Sequence, residues 1–418
     1  MGFLRHGIAP PSRARAMTSL FVGVAMMNTA TVPVTTVSTL IVADSAGARL
    51  SGFANAAGVL GSAIGALGLG AVTARRGGSF ALTVVYSSAV AGAVAAFAGA
   101  AGAGLAALLV GLVLIGVGNG GAQVSRYLAA DMYPEDRKAS ALSIIVWAGT
   151  VGALTGPNLV APAGRLAEAM RLPALSGTVF AAVVLVIVAL TITRVLPPSG
   201  EPPRVNRPSA LSLSRVRALV RLPAVATALC AMLGAHLSMV TVMTMTPLQL
   251  HDQHHGLNVV GMVLSAHMIG MFALAPLSGR LSDLWGGRWT VSAGVVLLVA
   301  AALIVGIAPT GHTTTLPAGL FLLGYGWNLV FVGSSSMLSG QLDPVERSEV
   351  QGGVDAIVFT ASIVASLAAG ALFAGGGFAA VAVAGGLMAL VPIPWLLAYR
   401  QSRSKPERHP ELAADRRG

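Results

Sequence analysis

This chain is poor in charge, in aromatics and in cysteine. Of its 418 residues, 10 % are Asp, Glu, Lys or Arg and 5 % are aromatic. A soluble globular domain carries about 25 % charged residues, so a soluble fold is excluded: the polar surface to clothe it is missing. The lone Cys230 excludes an internal disulfide. It falls inside an apolar segment, where it reads as a small buried residue. Enzyme motifs are also lacking. The Gly-rich stretches have no strand–turn–helix setting, so none is a phosphate loop.

What is present is apolar and comes in long blocks. Hydrophobic residues make up 55 % of the chain, and the mean hydropathy is +0.78. A transmembrane helix needs roughly 20 predominantly apolar residues. Twelve such spans are predicted, at 17–43, 51–73, 80–98, 103–125, 140–162, 175–194, 223–247, 257–277, 289–308, 316–337, 350–372 and 376–398. The 51 glycines suit close helix–helix approach in lipid. The expected fold class is an all-α integral membrane protein embedded in the lipid bilayer. The first span lacks a clear small-residue cleavage site behind it and is expected to be retained.

The net charge of +11 is explained by its distribution and needs no nucleic-acid partner. With both termini cytoplasmic, 23 of the 26 Lys and Arg residues fall on inner segments. The outer ones hold only Arg49, Arg165 and Arg171. The positive-inside rule therefore orients the chain with both ends in the cytoplasm. A multi-pass protein of a bacterial inner (plasma) membrane, acting as a monomer, is expected.

The longest polar stretch divides the spans into six and six. The organisation read from it is a cytoplasmic tail at 1–16, a six-helix bundle at 17–195 and a cytoplasmic linker at 196–222. A second six-helix bundle follows at 223–400, with a cytoplasmic tail at 401–418. The bundles repeat each other. Gly70-Ala-Val-Thr-Ala-Arg-Arg-Gly77-Gly78 follows span 2, and Gly279-Arg-Leu-Ser-Asp283-Leu-Trp-Gly286-Gly287 follows span 8. Pro134-Glu-Asp-Arg137 follows span 4, and Pro344-Val-Glu-Arg347 follows span 10. Two landmarks at nearly one offset indicate duplication.

The pattern at Gly279, Leu281, Asp283 and Gly286 resembles the signature loop of the major facilitator superfamily. The resemblance implies the major facilitator fold: 12 transmembrane helices in two pseudo-symmetric six-helix bundles. It also implies alternating access about a midplane site and a gating role for the loop's acid, Asp283. The first-half copy departs, with Ala74 where the family has Asp.

Ionisable residues inside a bilayer are functional candidates by default. The spans hold His236, His267 and Asp355. Both histidines lie among methionines. Residues 232–271 contain Met232, Met239, Met243, Met245, Met262, Met268 and Met271, nearly half of the 15 methionines in about a tenth of the chain. Met239 and Met243 are four apart on span 7, and His267 and Met271 are four apart on span 8. Residues at i and i+4 share a helix face, so two such faces could converge on one ion. Thioether sulfur with neutral imidazole suits Cu(I), whereas hard ions want oxygen. Packing is the competing reading of each pair.

The paired motifs are also similar to those of CcoA-type copper importers, bacterial facilitators that supply copper for cbb3-type cytochrome c oxidase. The resemblance implies Met239, Met243, His267 and Met271 as ligands of a transported copper ion and cytosolic copper acceptors as partners. No prosthetic group is expected. His236 and Met232 are candidate accessory ligands. His251, Asp252, His254 and His255, in the loop after span 7, are a candidate metal entrance. His267 and Asp355 are candidates for proton coupling. Met26, Met27 and Asn28 on span 1, and Tyr325, Trp327 and Asn328 on span 10, are candidate cavity neighbours. Two alternatives compete. One is proton-coupled efflux of a drug or small organic molecule, suggested by Gly152-x-x-x-Gly156-Pro157 on span 5. The other is a membrane copper sensor that moves nothing.

Overall fold

The computed structural model describes residues 10–194, 196, 221–307, 315–339 and 344–403. Among them every regular element is a helix. The first half contains α1 (Pro10–Ala46), α2 (Gly52–Arg76), α3 (Gly78–Ala98), α4 (Leu105–Asp131), α5 (Glu135–Thr155), α6 (Val160–Ala169) and α7 (Ala174–Thr193). The second contains α8 (Pro223–Asp252), α9 (Leu257–Phe272), α10 (Ala275–Trp285), α11 (Gly287–Ile307), α12 (Thr315–Ser339), α13 (Pro344–Leu390) and α14 (Ile393–Arg403).

Local chemistry sets the breaks. Gly77 ends α2 at φ 83°, ψ 161°, and Gly286 ends α10 at φ 80°, ψ 153°. Only glycine takes such a conformation without strain. The two lie at matching places in the halves, so the repeat seen in the sequence is also a repeat of backbone geometry. Inside the long α13 the helix breaks at Gly376 and Gly377 (φ −146° and 64°).

Eleven stretches of the described residues are long and apolar enough to cross a membrane. The last, Ile357–Tyr399, has 43 residues and contains the Gly376–Gly377 break. It therefore supplies two crossings, which restores the plan of six and six. The observed boundaries differ in places from the expected ones. Helix α1 starts at Pro10, inside the expected tail. The fifth crossing is built from α5, a short 3-10 segment at Gly156–Leu159 and α6. The eighth is α9 and α10, broken around Ala273 and Leu274, with Pro276 at the start of α10. Most of the expected linker, and the tail beyond Arg403, lie outside the described residues.

Each half has its own apolar core. Met27, Leu82, Tyr86, Leu112 and Val186 are buried in the first, and Met245, Leu264, Leu298, Leu323 and Val381 in the second. Leu67, Ile307, Leu303 and Val383 stand exposed on the outside of the bundles, the surface that faces lipid.

The halves meet at one end, where the α1–α2 and α8–α9 turns lie. There α2 packs on α13, α1 on α8, and α5, Gly156–Leu159 and α6 on α9. A Cβ on Gly52 would sit 1.9 Å from the Ser366 carbonyl oxygen, and one on Gly261 would sit 2.7 Å from that of Pro157. Backbone thus touches backbone across the seam. Asn55 donates to Ser366 Oγ at 2.7 Å and to Thr244 Oγ1 at 3.3 Å, and Asn158 donates to Ser265 Oγ at 3.1 Å. His251 Nε2 lies 3.4 Å from Asp44 Oδ1, with both side chains about half exposed.

Candidate functional site

A cavity of about 190 Å³ lies between the halves below this seam. Helix α1 contributes Val32, Thr35, Thr36 and Thr39, and α2 contributes Asn55. Across from them, α8 contributes Met239, Val240, Met243, Thr244 and Pro247, and α9 contributes Leu264 and Met268. Among the described residues no charged side chain lines it.

The lining is rich in lone pairs and poor in free donors. Thr35 donates its hydroxyl proton to the carbonyls of Thr31 and Val32, both at 2.9 Å. Thr36 donates to Val32 at 3.0 Å, Thr39 to Thr35 at 3.0 Å, and Thr244 to Val240 at 2.6 Å. A hydroxyl has one proton and two lone pairs, so these oxygens can only accept from anything in the cavity. Pro247 has no N–H, so it cannot donate to the carbonyl of Met243 four residues back. Three methionine side chains complete the surface. It suits a cation or a hydrogen-bond donor and offers an anion little.

The two tetrads predicted from the sequence have different fates. Met239 and Met243 both line the cavity. His267 and Met271 are buried and face α12 instead. His267 Nδ1 lies 3.0 Å from the Leu320 carbonyl oxygen. A carbonyl only accepts, so Nδ1 carries the proton and a neutral ring leaves Nε2 as its lone-pair nitrogen. The rotation of α9 is set by glycine. A Cβ on Gly324 would lie 2.3 Å from the His267 carbonyl oxygen, and one on Gly270 would lie 2.2 Å from that of Phe321. Helix α9 is therefore pressed against α12 along the face of His267, Gly270 and Met271. Successive residues turn by about 100°. Gly261, Leu264, Ser265 and Met268 consequently face the first half. Met239, Met243 and Met268 line one cavity, while His267 and Met271 stand apart from it on the α12 side.

Asn328 is buried and does not line this cavity. Its Oδ1 accepts from Ser278 Oγ at 2.5 Å, and its Nδ2 donates to the Met271 carbonyl at 2.7 Å. It thus clamps the break between α9 and α10, where a carbonyl leaves the helical ladder. Met232 is buried in the second core, and the His236 ring stands 6.3 Å from that of Trp327. Neither lines the cavity, nor does Tyr325. On α1, Met27 is fully buried and Asn28 bonds back to the Val24 carbonyl at 3.0 Å, so the polar wall comes from the threonines above them. Gly152 and Gly156 pack against α1 at Ala25, Asn28, Thr29 and Pro33.

Among the described residues no three His, Cys, Asp or Glu side chains come together to hold a metal ion. His251 pairs with Asp44 across the seam, His254 takes a left-handed turn position (φ 59°), and Asp252 is exposed. His255 donates its backbone N–H to the Leu250 carbonyl, closing α8. In the loop after span 8, Gly279 has open space around it, Asp283 is exposed and Gly286 makes the turn. Asp355 falls on α13 where side chains lie outside the described residues.

The sequence model of the Major Facilitator Superfamily matches residues 17–257 and 228–417. The chain belongs to this superfamily. It is 28 % identical over 374 residues to the uncharacterized MFS-type transporter YddS of Bacillus subtilis (strain 168), covering 87 % of this facilitator and 86 % of YddS. It is also 28 % identical over 283 residues to the riboflavin transporter RfnT of Brucella anthropi, covering 66 % and 69 % of the two. Among solved structures, a bacterial homolog of the human lysosomal transporter Spinster, inward-facing and occupied, aligns with a TM-score of 0.71. That match has 13 % identity and covers 95 % and 98 % of the chains. A POT family peptide transporter aligns with the same TM-score at 14 % identity, covering 94 % and 97 %. These likenesses establish the fold, that of a multi-pass membrane transporter.

Proposed function

We propose that this facilitator imports copper, as Cu(I), by alternating access. The observation that carries the reading is the placing of Met239 and Met243 on the cavity between the halves. Soft, neutral sulfur suits a soft monovalent ion. The surrounding threonine oxygens are restricted to accepting, which suits positive charge. The volume of about 190 Å³ is below the roughly 300–1,000 Å³ usual for organic ligands. With both termini cytoplasmic, the end at which the halves touch is the outer one. One positive charge moving inward gains about 2.3 kcal/mol per 100 mV of membrane potential. Cytosolic acceptors, including those that supply cbb3-type oxidase assembly, then take the ion.

His267 has the second hydrogen bond that a ligating imidazole needs to fix its tautomer. Ligation by His267 and Met271 together with the first pair requires α9 to turn on α12 during the cycle. A second reading follows from the likeness to RfnT: the cargo is a flavin or another small organic ring. The five hydroxyl and amide groups of the cavity wall favour it.

Uptake of radioactive copper into copper-limited cells tests the first reading. Accumulation above the empty-vector level, lost in the Met239→Ala, Met243→Ala double variant at matched expression, is expected. Copper at background with riboflavin accumulating in a riboflavin auxotroph moves the second reading to first place.

A further inference from the structure

Met268 lies one residue beyond the expected ligand His267 and belongs to neither tetrad, yet its side chain reaches the cavity and that of His267 does not. We infer that Met239, Met243 and Met268 together form a three-thioether site for a soft monovalent cation, closed on its other side by the Thr35, Thr36 and Thr39 oxygens of the first half. The inference rests on the copper reading and names its ligand set.

Three observations support it. First, the rotation of α9 is fixed by contacts that have nothing to do with the ligands. Gly270 and Gly324 bring α9 and α12 into backbone contact, and Gly261 brings α9 against Pro157 on the other side. With both faces held, Leu264 and Met268 point at the cavity as a matter of helix geometry. Second, Met268 is half-buried rather than packed away, in contrast to Met245, which is fully buried. Its sulfur is therefore not committed to the core. Third, the chemistry is selective. Among the described residues no carboxylate, imidazole or thiol lines the cavity, so Mg²⁺ and Ca²⁺ lack carboxylate ligands and Zn²⁺ lacks thiolate and imidazole. Thioethers are soft enough for Cu(I), and three of them make a neutral set that needs no proton release before the ion binds.

The arrangement also ties binding to gating. The sulfurs come from α8 and α9 of the second half, and the oxygens come from α1 of the first. An ion held between them has partners on both halves only while the seam is closed. Asn55, which lines the same cavity, bonds Thr244 and Ser366 across that seam. Occupancy and closure therefore favour each other by differential contacts.

The test uses the full-length protein in detergent, titrated anaerobically with Cu(I) against a competing chelator, beside Met268→Leu, Met239→Leu and the control Met262→Leu. Met262 lies on α9 but is exposed and outside the cavity. Leu for Met conserves volume and is tolerated with little loss of stability, and thermal melts verify this. One ion per chain is expected for the wild type and the control. For Met268→Leu and Met239→Leu a weakening on the order of tenfold or more is expected, with Met268→Cys restoring binding. Copper K-edge absorption on the loaded protein should show a sulfur shell without imidazole nitrogen. Wild-type affinity in Met268→Leu beside weakened Met239→Leu, or a nitrogen shell, overturns this ligand set while leaving the copper reading in place. No binding by the folded wild type overturns both.

Discussion

Two side-chain pairs with the same spacing, Met239–Met243 on α8 and His267–Met271 on α9, look alike in the sequence and are used differently by the fold. The first lines the cavity between the halves. The second is turned onto α12, with His267 bonded to the Leu320 carbonyl and Met271 packed beside Gly324. The i, i+4 rule says that two residues share a face. It says nothing about what that face meets. Here the answer is set by Gly270 and Gly324, which let α9 and α12 approach backbone to backbone and so fix the helix's rotation. A glycine on a helix face can decide the direction of ligands one turn away.

The sharpest way to break the comparison is to remove the device that sets it. Gly324→Leu places carbon atoms where the His267 carbonyl stands. Overpacking costs about 1–3 kcal/mol or more, and here the obstacle is backbone. A large fall in melting temperature, or loss of folded protein, is expected in detergent. An unchanged melting curve would show that the α9–α12 contact is not tight.

The clamp on the helix break comes next. Asn328→Leu leaves the Met271 carbonyl without its partner and the Ser278 hydroxyl with only the more distant Leu274 carbonyl, at 3.3 Å. An orphaned buried carbonyl costs about 1–3 kcal/mol. A destabilised protein is expected, and urea or thermal unfolding measures it.

The pairs can then be compared directly. Met239→Leu should lower copper uptake on the order of tenfold with little change in melting temperature. Met271→Leu should lower uptake by less than Met239→Leu does, and melting temperature by less than Asn328→Leu does. Equal loss of uptake in the two would show that α9 does turn during the cycle and brings all four residues to the ion.

The smallest effect is expected at the His251–Asp44 contact of the seam. His251→Gln removes a contact between two half-exposed side chains, and such surface pairs contribute about 0.2–1 kcal/mol. Cysteine-accessibility labelling at the sealed end should rise slightly. Gly52→Ala is the stronger seam variant, because its Cβ would meet the Ser366 carbonyl at 1.9 Å. It should hold the sealed end open and raise that labelling far more.

Much of the architecture was legible from hydropathy and charge. The spans, the six-and-six division and the internal repeat were read from patterns that a bilayer imposes on any chain. The repeat of Gly77 and Gly286 was visible as letters and proved to be a repeat of positive φ. Half of the candidate site was legible too, since Met239 and Met243 reach the cavity. What the sequence did not announce was Met268, or the wall of Thr35, Thr36 and Thr39. Threonines four apart in an apolar helix were the available signal, but threonine in such helices also bonds to its own backbone.

The sequence by itself determined that this chain crosses a membrane many times as two repeated halves, because long apolar blocks have no other stable home and the charges sort by side. It also concentrated methionine and histidine side chains in one 40-residue window. Only the tertiary structure decided which of those side chains meet. Helix rotation is set by contacts with neighbours distant in the chain, such as Gly324 against His267 and Pro157 against Gly261, and a turn of about 100° per residue is enough to exchange a buried histidine for a cavity methionine.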